Sequence, residues 1–320
     1  MKAVIIRQFG PPGVMKVEEV ERPAIFSDQV LIRIHYSSVN PVDWKIRNGS
    51  LRFLTGSQFP MRLGFDVAGE VVDLGPSVTK FLKGDRIFGM LNYKQRGAYA
   101  EYAVVKEENI ALIPEGLDFK EAAGMPLAAL TGYQALHNKG RMRQGEVILV
   151  NGASGGVGSL AVQIARAGGA VVTGVCSTDN VEFVKSLGAD RVIDYRKEDF
   201  AVLPDKYDIV FDAVGKQTFL GIRKSLTRLG CYITTLPNKP TDVLSFFLVP
   251  LCGLFGYNKK SFFVSVQPNA SDLNSLALLA KEGKLRVLID RVYRLDEIAE
   301  AHAYSETGRV KGKIVIKVAG

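Results

Sequence analysis

Cysteine is scarce: the chain has 320 residues and three cysteines, Cys176, Cys231 and Cys252. None pairs with another at metal-ligand spacing, and an odd count with no leader argues for a reduced, cytoplasmic protein. The opening stretch, MKAVIIRQFG, has neither a long apolar centre nor a small-residue cleavage site, so it reads as a first β-strand. Long apolar runs are missing as well. The best, VLSFFLVPLCGLFGY (243–257), is shorter than the roughly 18 residues that flag a spanning helix, and Pro250 and Gly253 interrupt it. It is expected to be a pocket wall, a lid or a subunit contact, or else a membrane-surface patch. The formal net charge is +8, yet no five basic residues stand in a row, so no nucleic-acid partner is expected. Scattered solvated lysines explain that charge, as does attraction of an anionic ligand such as a phosphorylated cofactor. No repeating unit is evident.

Hydrophobic residues make up 47% of the chain, ample for cores, and its length suggests about two domains. Residues 1–125 hold short β-branched runs, QVLIRIHYSSV (29–39), GFDVAGEVVDLG (64–75) and GAYAEYAVV (97–105), separated by turn residues. They predict a partly open β-barrel with bulges. From 126 to 266 strands and helices alternate: EVILVN, a helix over 156–167, AVVTGVC (170–176), a helix over 181–188, RVIDY, YDIVFDAV (207–214), a helix from about 216, and CYITTL. That alternation predicts an α/β domain, a doubly wound parallel sheet with helices on both faces. Asp179 and Glu182 have the spacing of a capping box for the second helix. Residues 267–320, with a helix over 272–283 and a strand over 312–318, are expected to complete the first domain.

The sequence VILVNGASGGVGSLAVQIA (147–165) sets Gly152, Gly155 and Gly158 between an apolar strand and an apolar-faced helix. One glycine permits the turn, one admits a pyrophosphate to the backbone, and one lets helix and strand pack closely. With Ser154, Gly156 and Val157 they predict a phosphate seat facing the unpaired N–H groups of the helix start. An NAD site usually ends its second strand in an acid that takes the ribose 2′-hydroxyl. Here that end reads GVCST, and Ser177, Thr178 and the following Tyr195 offer hydroxyls to a 2′-phosphate. The expected cofactor is NADPH (NADP+), although Asp179 stands where a base would help.

NPVDWKIRNG (40–49), LGFDVAGEVVDLGPSVTKFLKGDRIFG (63–89), NGASGGVG (151–158) and GADRVIDY (188–195) together resemble the medium-chain dehydrogenase/reductase superfamily, in its zinc-free quinone and enone oxidoreductase branch. The resemblance implies a GroES-like catalytic domain, a Rossmann domain, a cleft between them and a homodimer. It places the catalytic-zinc ligands of the zinc enzymes at Asn40, Phe65 and Leu127, with their neighbouring acid at Asp66 and their relay hydroxyl at Val42. Phe and Leu cannot ligate zinc, so no metal is expected. The three histidines, His35, His137 and His302, read as core or surface residues.

Without a Lewis acid, conjugated acceptors are favoured. A quinone or an enone spreads the incoming charge onto oxygen, where modest donors suffice. The resemblance makes Lys45 the candidate donor, against a solvent-facing or ribose-contacting lysine. It sets Asn40 at the nicotinamide end of the site and Asp43 as an orienting group. Arg47 has the alternative of a structural ion pair. By the same analogy Thr131 contacts the nicotinamide side and Lys311 reaches the cofactor phosphates, or is a surface lysine. Trp44 and Tyr99 are candidate site aromatics, against plain core. The expected activity is NADPH-dependent reduction of quinones or of the C=C bond of α,β-unsaturated carbonyls. The alternatives are an NADP-dependent alcohol dehydrogenase or carbonyl reductase, and a non-catalytic NADPH-binding protein.

Overall fold

The structure is a computed structural model that describes residues 1–93, 95–236, 243–246, 249 and 258–318. It divides into two compact units, Met1–Leu130 with Gln267–Gly320, and Thr131–Val266. The helix Pro126–Tyr133 begins just after the boundary expected at 125/126 and runs across the observed division, its residues up to Leu130 belonging with the first unit.

The first unit opens with strands β1 (Lys2–Ile6), β2 (Lys16–Glu19), β3 (Gln29–Val39), β4 (Met61–Arg62), β5 (Asp66–Leu74), β6 (Arg86–Met90), β7 (Tyr102–Lys106) and β8 (Ile110–Leu112). The second unit supplies β9 (Val147–Asn151), β10 (Val171–Cys176), β11 (Arg191–Asp194), β12 (Tyr207–Asp212), β13 (Leu226–Thr234) and β14 (Lys260–Phe263). The chain then returns to the first unit for β15 (Ile289–Arg294) and β16 (Lys313–Lys317).

In the first unit β15, β16, β3, β5, β6 and β8 lie side by side, and β7 also pairs with β3. The β3–β5 register slips at Leu31/Ile32 and again at Ile34/Tyr36. Such bulges add twist and bend a sheet toward closure. Val30, Ile32 and Ile34 alternate along β3 and meet Val67, Val71 and Ile87 in one core. Strand β16 runs antiparallel to β3 with Ile314 opposite Val39. That register brings Lys313, the first residue of β16, to the Asn40 end of β3.

In the second unit the order is β11-β10-β9-β12-β13-β14, every pair parallel. β9 reads VILVN and is buried from Ile148 onward, as a parallel strand covered on both faces should be. The helix Gly156–Ala167 follows it, buries Leu160, Ala161, Ile164 and Ala165, and ends at Gly168. The apolar segment 243–257 lies largely outside the described residues, and with it the expectation of a wall, lid or contact there. Within it, Val243 and Leu244 are exposed and Val249 is buried beside Phe219 and Ile222. No helix among the described residues is long and apolar enough to cross a membrane.

Candidate functional site

The glycine turn leaves β9 at Gly152, whose φ of +81° is left-handed, a conformation open to glycine at little cost. Gly155 is the residue before the helix, so Gly156, Val157 and Gly158 are its first three residues and their N–H groups have no intrahelical acceptor. A Cβ on Gly158 would stand 2.1 Å from the Gly152 carbonyl oxygen, so turn and helix approach as closely as backbone allows. The residues therefore fit a pyrophosphate: free donors, a bare backbone and the positive end of a 12-residue helix. Replacing Gly158 by Ala forces the turn away from the helix. NADPH affinity, measured by titrating the quenching of protein fluorescence, is expected to fall roughly tenfold or more.

Where β10 and β11 end, Cys176 pairs with Asp194, which sets Ser177 and Thr178 beside Tyr195. Asn180 ties this corner to the turn, its Nδ2 donating to Ser154 Oγ (3.2 Å) and Ser177 Oγ (3.1 Å). The Thr178 hydroxyl donates to Asp194 Oδ2 at 2.6 Å and holds that carboxyl below its usual range. Tyr195 is exposed. The capping box expected from Asp179 and Glu182 does not form. Residues Thr178–Asn180 make a 3-10 turn ahead of the helix Val181–Ser186, and Asp179 pairs instead with Arg196 at 3.2 Å. Sequence reasoning missed Arg196, whose signal is a base directly after Tyr195. Its pairing answers the misplaced acid: Arg196 offsets Asp179 and adds a guanidinium to this corner. Both side chains are more than half exposed, so the pair is worth little.

Thr131 is buried on the helix Pro126–Tyr133. Lys311 is exposed in the first unit, its backbone N–H donating to Asp290 at 3.1 Å.

The other candidates cluster on one short helix of the first unit, Pro41–Arg47. Asn40 begins it with a capping box closed by Asp43, whose Oδ2 accepts the Asn40 N–H at 2.8 Å. The Asn40 amide Nδ2 donates to Asp66 Oδ2 (2.8 Å), and its Oδ1 accepts from the Lys313 ammonium (2.5 Å). Asp66 also takes the Ser38 hydroxyl (2.5 Å), the Leu127 N–H (2.7 Å) and, at 3.6 Å, the charge of Lys313. All of these side chains are buried. Burial pulls the Lys313 pKa down, and Asp66 and Asp43 push back.

This knot bears on the metal question. At the three zinc-ligand positions, Phe65 and Leu127 bring no donor atom. The Asn40 oxygen is committed to an ammonium whose charge occupies the polar centre. Among the described residues no three of His, Cys, Asp and Glu gather as a ligand set. The residues present do not fit zinc.

Asp43 Oδ1 has no partner although it is fully buried, and neither does the buried Trp44 Nε1. Burial, reinforced by nearby Asp66, lifts the Asp43 pKa to about 7. Lys45 has no carboxylate partner among the described residues. It lies 5.4 Å from the Trp44 ring centre, and burial alone lowers its pKa. Tyr93 packs edge-on against Phe65 and near Asp43, and burial raises its phenol pKa. Tyr93 is a second hydroxyl-bearing candidate that sequence reasoning missed, because only folding carries that loop back to Asp43. Arg47 takes the structural alternative: its guanidinium pairs with Glu306 and donates through Nε to the Gly10 carbonyl (3.1 Å). His302 is a core histidine between Arg47 and the buried Tyr99 hydroxyl.

Two family matches cover most of the chain: alcohol dehydrogenase GroES-like domain over residues 27–115, and zinc-binding dehydrogenase over 187–316. The chain is 38% identical to the 2-methylene-furan-3-one reductase of Solanum lycopersicum, covering 99% of this chain and 79% of that protein. It is 35% identical to an NADPH-dependent alkenal/one oxidoreductase, chloroplastic, of Arabidopsis thaliana, at the same coverage. The structure of the quinone oxidoreductase from Coxiella burnetii superposes with a TM-score of 0.88 at 35% identity, covering 100% of this chain and 99% of that one. With the glycine turn on its parallel sheet and the Asn40–Lys45 helix on its curved one, the chain belongs to the medium-chain dehydrogenase/reductase family, in its quinone and enone oxidoreductase branch.

Proposed function

We propose that the chain is an NADPH-dependent, metal-independent reductase of conjugated acceptors, quinones or α,β-unsaturated carbonyls. One observation supports this above the rest: the position of the family's zinc is built from Phe65, Leu127 and an Asn40 amide bound to Lys313. The names of the tomato and Arabidopsis relatives add weight to enone reduction, and that of the Coxiella structure to quinones. When bound, the cofactor supplies a hydride. In this reading the Gly156–Gly158 donors hold its pyrophosphate, while Ser177, Tyr195 and Arg196 hold its 2′-phosphate. The Lys45 ammonium and the Tyr93 hydroxyl are the donors for the phenolate or enolate oxygen, where pre-aimed donors work best. Asp43, with a pKa of about 7, keeps a proton at hand in part of the molecules at neutral pH. The homodimer implied by the resemblance and the cytoplasmic location read from the cysteines belong to this proposal too.

Purified protein, treated with a chelator, is expected to oxidise NADPH with a 1,4-quinone or a short enone. NADH should support at least roughly tenfold lower kcat/KM, the scale of one lost charge-assisted contact. Arg196→Glu should narrow that preference by raising KM for NADPH alone. Turnover of simple alcohols that requires added zinc would remove the proposal.

A further inference from the structure

In the second unit, Lys206 directly precedes β12, Arg223 and Lys224 precede β13, and Lys259 precedes β14. These three strands are parallel neighbours, so their starts share one edge of the sheet. The cations gather there with nothing to neutralise them: none has a carboxylate partner among the described residues. Lys206 Nζ donates to the Lys224 carbonyl, and Lys259 Nζ to the Arg223 carbonyl at 2.5 Å. Burial, followed by the charges of Lys206 and Arg223, lowers the Lys259 pKa, as expected of crowded like charges. The nearby acids are already engaged. Asp205 pairs with Arg191, and Asp208 accepts from the Val147 N–H and the Thr227 hydroxyl. Arg228, exposed as the third residue of β13, extends the patch.

Aliphatic side chains punctuate this edge. Leu220 is 52% exposed, Leu229 72% and Val202 77%. Val202 follows Ala201, whose carbonyl accepts the Ser225 hydroxyl, so it belongs to the same surface. Among the described residues no exposed aromatic ring accompanies them, so the described surface lacks the stacking platforms that single-stranded nucleic acids use. Unneutralised cations with interspersed leucines suit a bilayer: the cations meet lipid phosphates and the aliphatic chains enter the acyl boundary. The glycine turn follows the far end of β9 in this same sheet, so docking by the strand starts leaves the cofactor seat open.

We propose that this edge of the second unit is a docking surface for an anionic lipid bilayer. The inference is independent of which acceptor the enzyme reduces. The test is co-sedimentation of the full chain with phosphatidylcholine vesicles, with and without phosphatidylglycerol. Partitioning onto the anionic vesicles is expected to be roughly tenfold higher and to reverse at high salt. The triple variant Arg223→Gln, Lys224→Gln, Lys259→Gln should lose that gain while NADPH oxidation stays unchanged. Leu229→Ser should weaken binding at every salt concentration. If the triple variant does not fold, the exposed single changes Lys224→Gln and Arg228→Gln must each reduce binding. Equal partitioning onto both vesicle types, full binding by the variants, or preferential capture by polyuridylate that vesicles cannot displace would overturn it.

Discussion

Lys313→Met lowers the stability of the first unit by about 3–5 kcal/mol, the loss expected when one partner of a buried pair is removed. The reason is Asp66. Its carboxylate is fully buried, and three hydrogen bonds, from Ser38, Asn40 and Leu127, converge on it. Those donors hold the negative charge in place but do not cancel it. The ammonium at 3.6 Å does. Methionine fills much the same volume and leaves the charge stranded, along with an Asn40 oxygen that has lost its donor. Adding Asp66→Asn to Lys313→Met removes both charges together, and most of the lost stability should return. Thermal melting of the four proteins closes the cycle. A loss below about 1 kcal/mol for Lys313→Met, or no recovery in the double variant, would show that Asp66 is not held as a buried anion.

This knot also shows where the sequence stops being legible. The parallel sheet could be read because each strand announces itself locally, in VILV or IVFDAV, and the turn because its glycines stand six residues apart from first to last. The Asn40–Lys45 run could be read because its members share one helix. Lys313 could not. It is 273 residues from its Asn40 partner, and a lysine at the head of an apolar strand looks like a surface residue. The sequence points instead to Lys311, two positions earlier in the same GRVKGKIVI stretch, as a contact to the cofactor phosphates or a surface lysine, and that side chain is exposed. What separates them is the β16–β3 register, a tertiary fact. Tyr93 was missed for the same reason, whereas Arg196 had a local signal, a base directly after Tyr195, that was passed over. Asp179 failed differently: its spacing to Glu182 was correct for a cap, but an ion pair with Arg196 won the carboxylate.

Between about pH 4 and 6.5 the contributions of two buried groups to stability should nearly cancel in the parent protein, and two variants should uncover steep slopes of opposite sign. Asp43 and His302 produce this. Both are buried and both lie next to Tyr99, whose hydroxyl is 3.3 Å from His302 Nε2. Asp43 has a pKa of about 7 when folded against 3.8 as a free group. The folded chain therefore binds the extra proton in that interval. The stability it contributes is present below pH 3.8 and is lost as pH rises through 7. His302 is the reverse. Burial, with Arg47 alongside, depresses it to about 3 against 6.5 as a free group. Its contribution is present above pH 6.5 and is lost as pH falls through 3. Each group alone gives a slope of about 1.4 kcal/mol per pH unit, so over the shared interval the two cancel. His302→Gln removes the second and leaves stability falling with rising pH, by on the order of 4 kcal/mol in all. Asp43→Asn removes the first and leaves stability rising with pH by a similar amount. Urea midpoints at each pH, taken as variant minus parent, subtract the acid losses of the exposed carboxylates that all three proteins share. A flat difference curve for His302→Gln would mean that His302 is not held neutral in the folded core, and a flat one for Asp43→Asn that Asp43 enters that core already ionised. The carboxyl beside Lys45 and Tyr93 would then have no proton to lend.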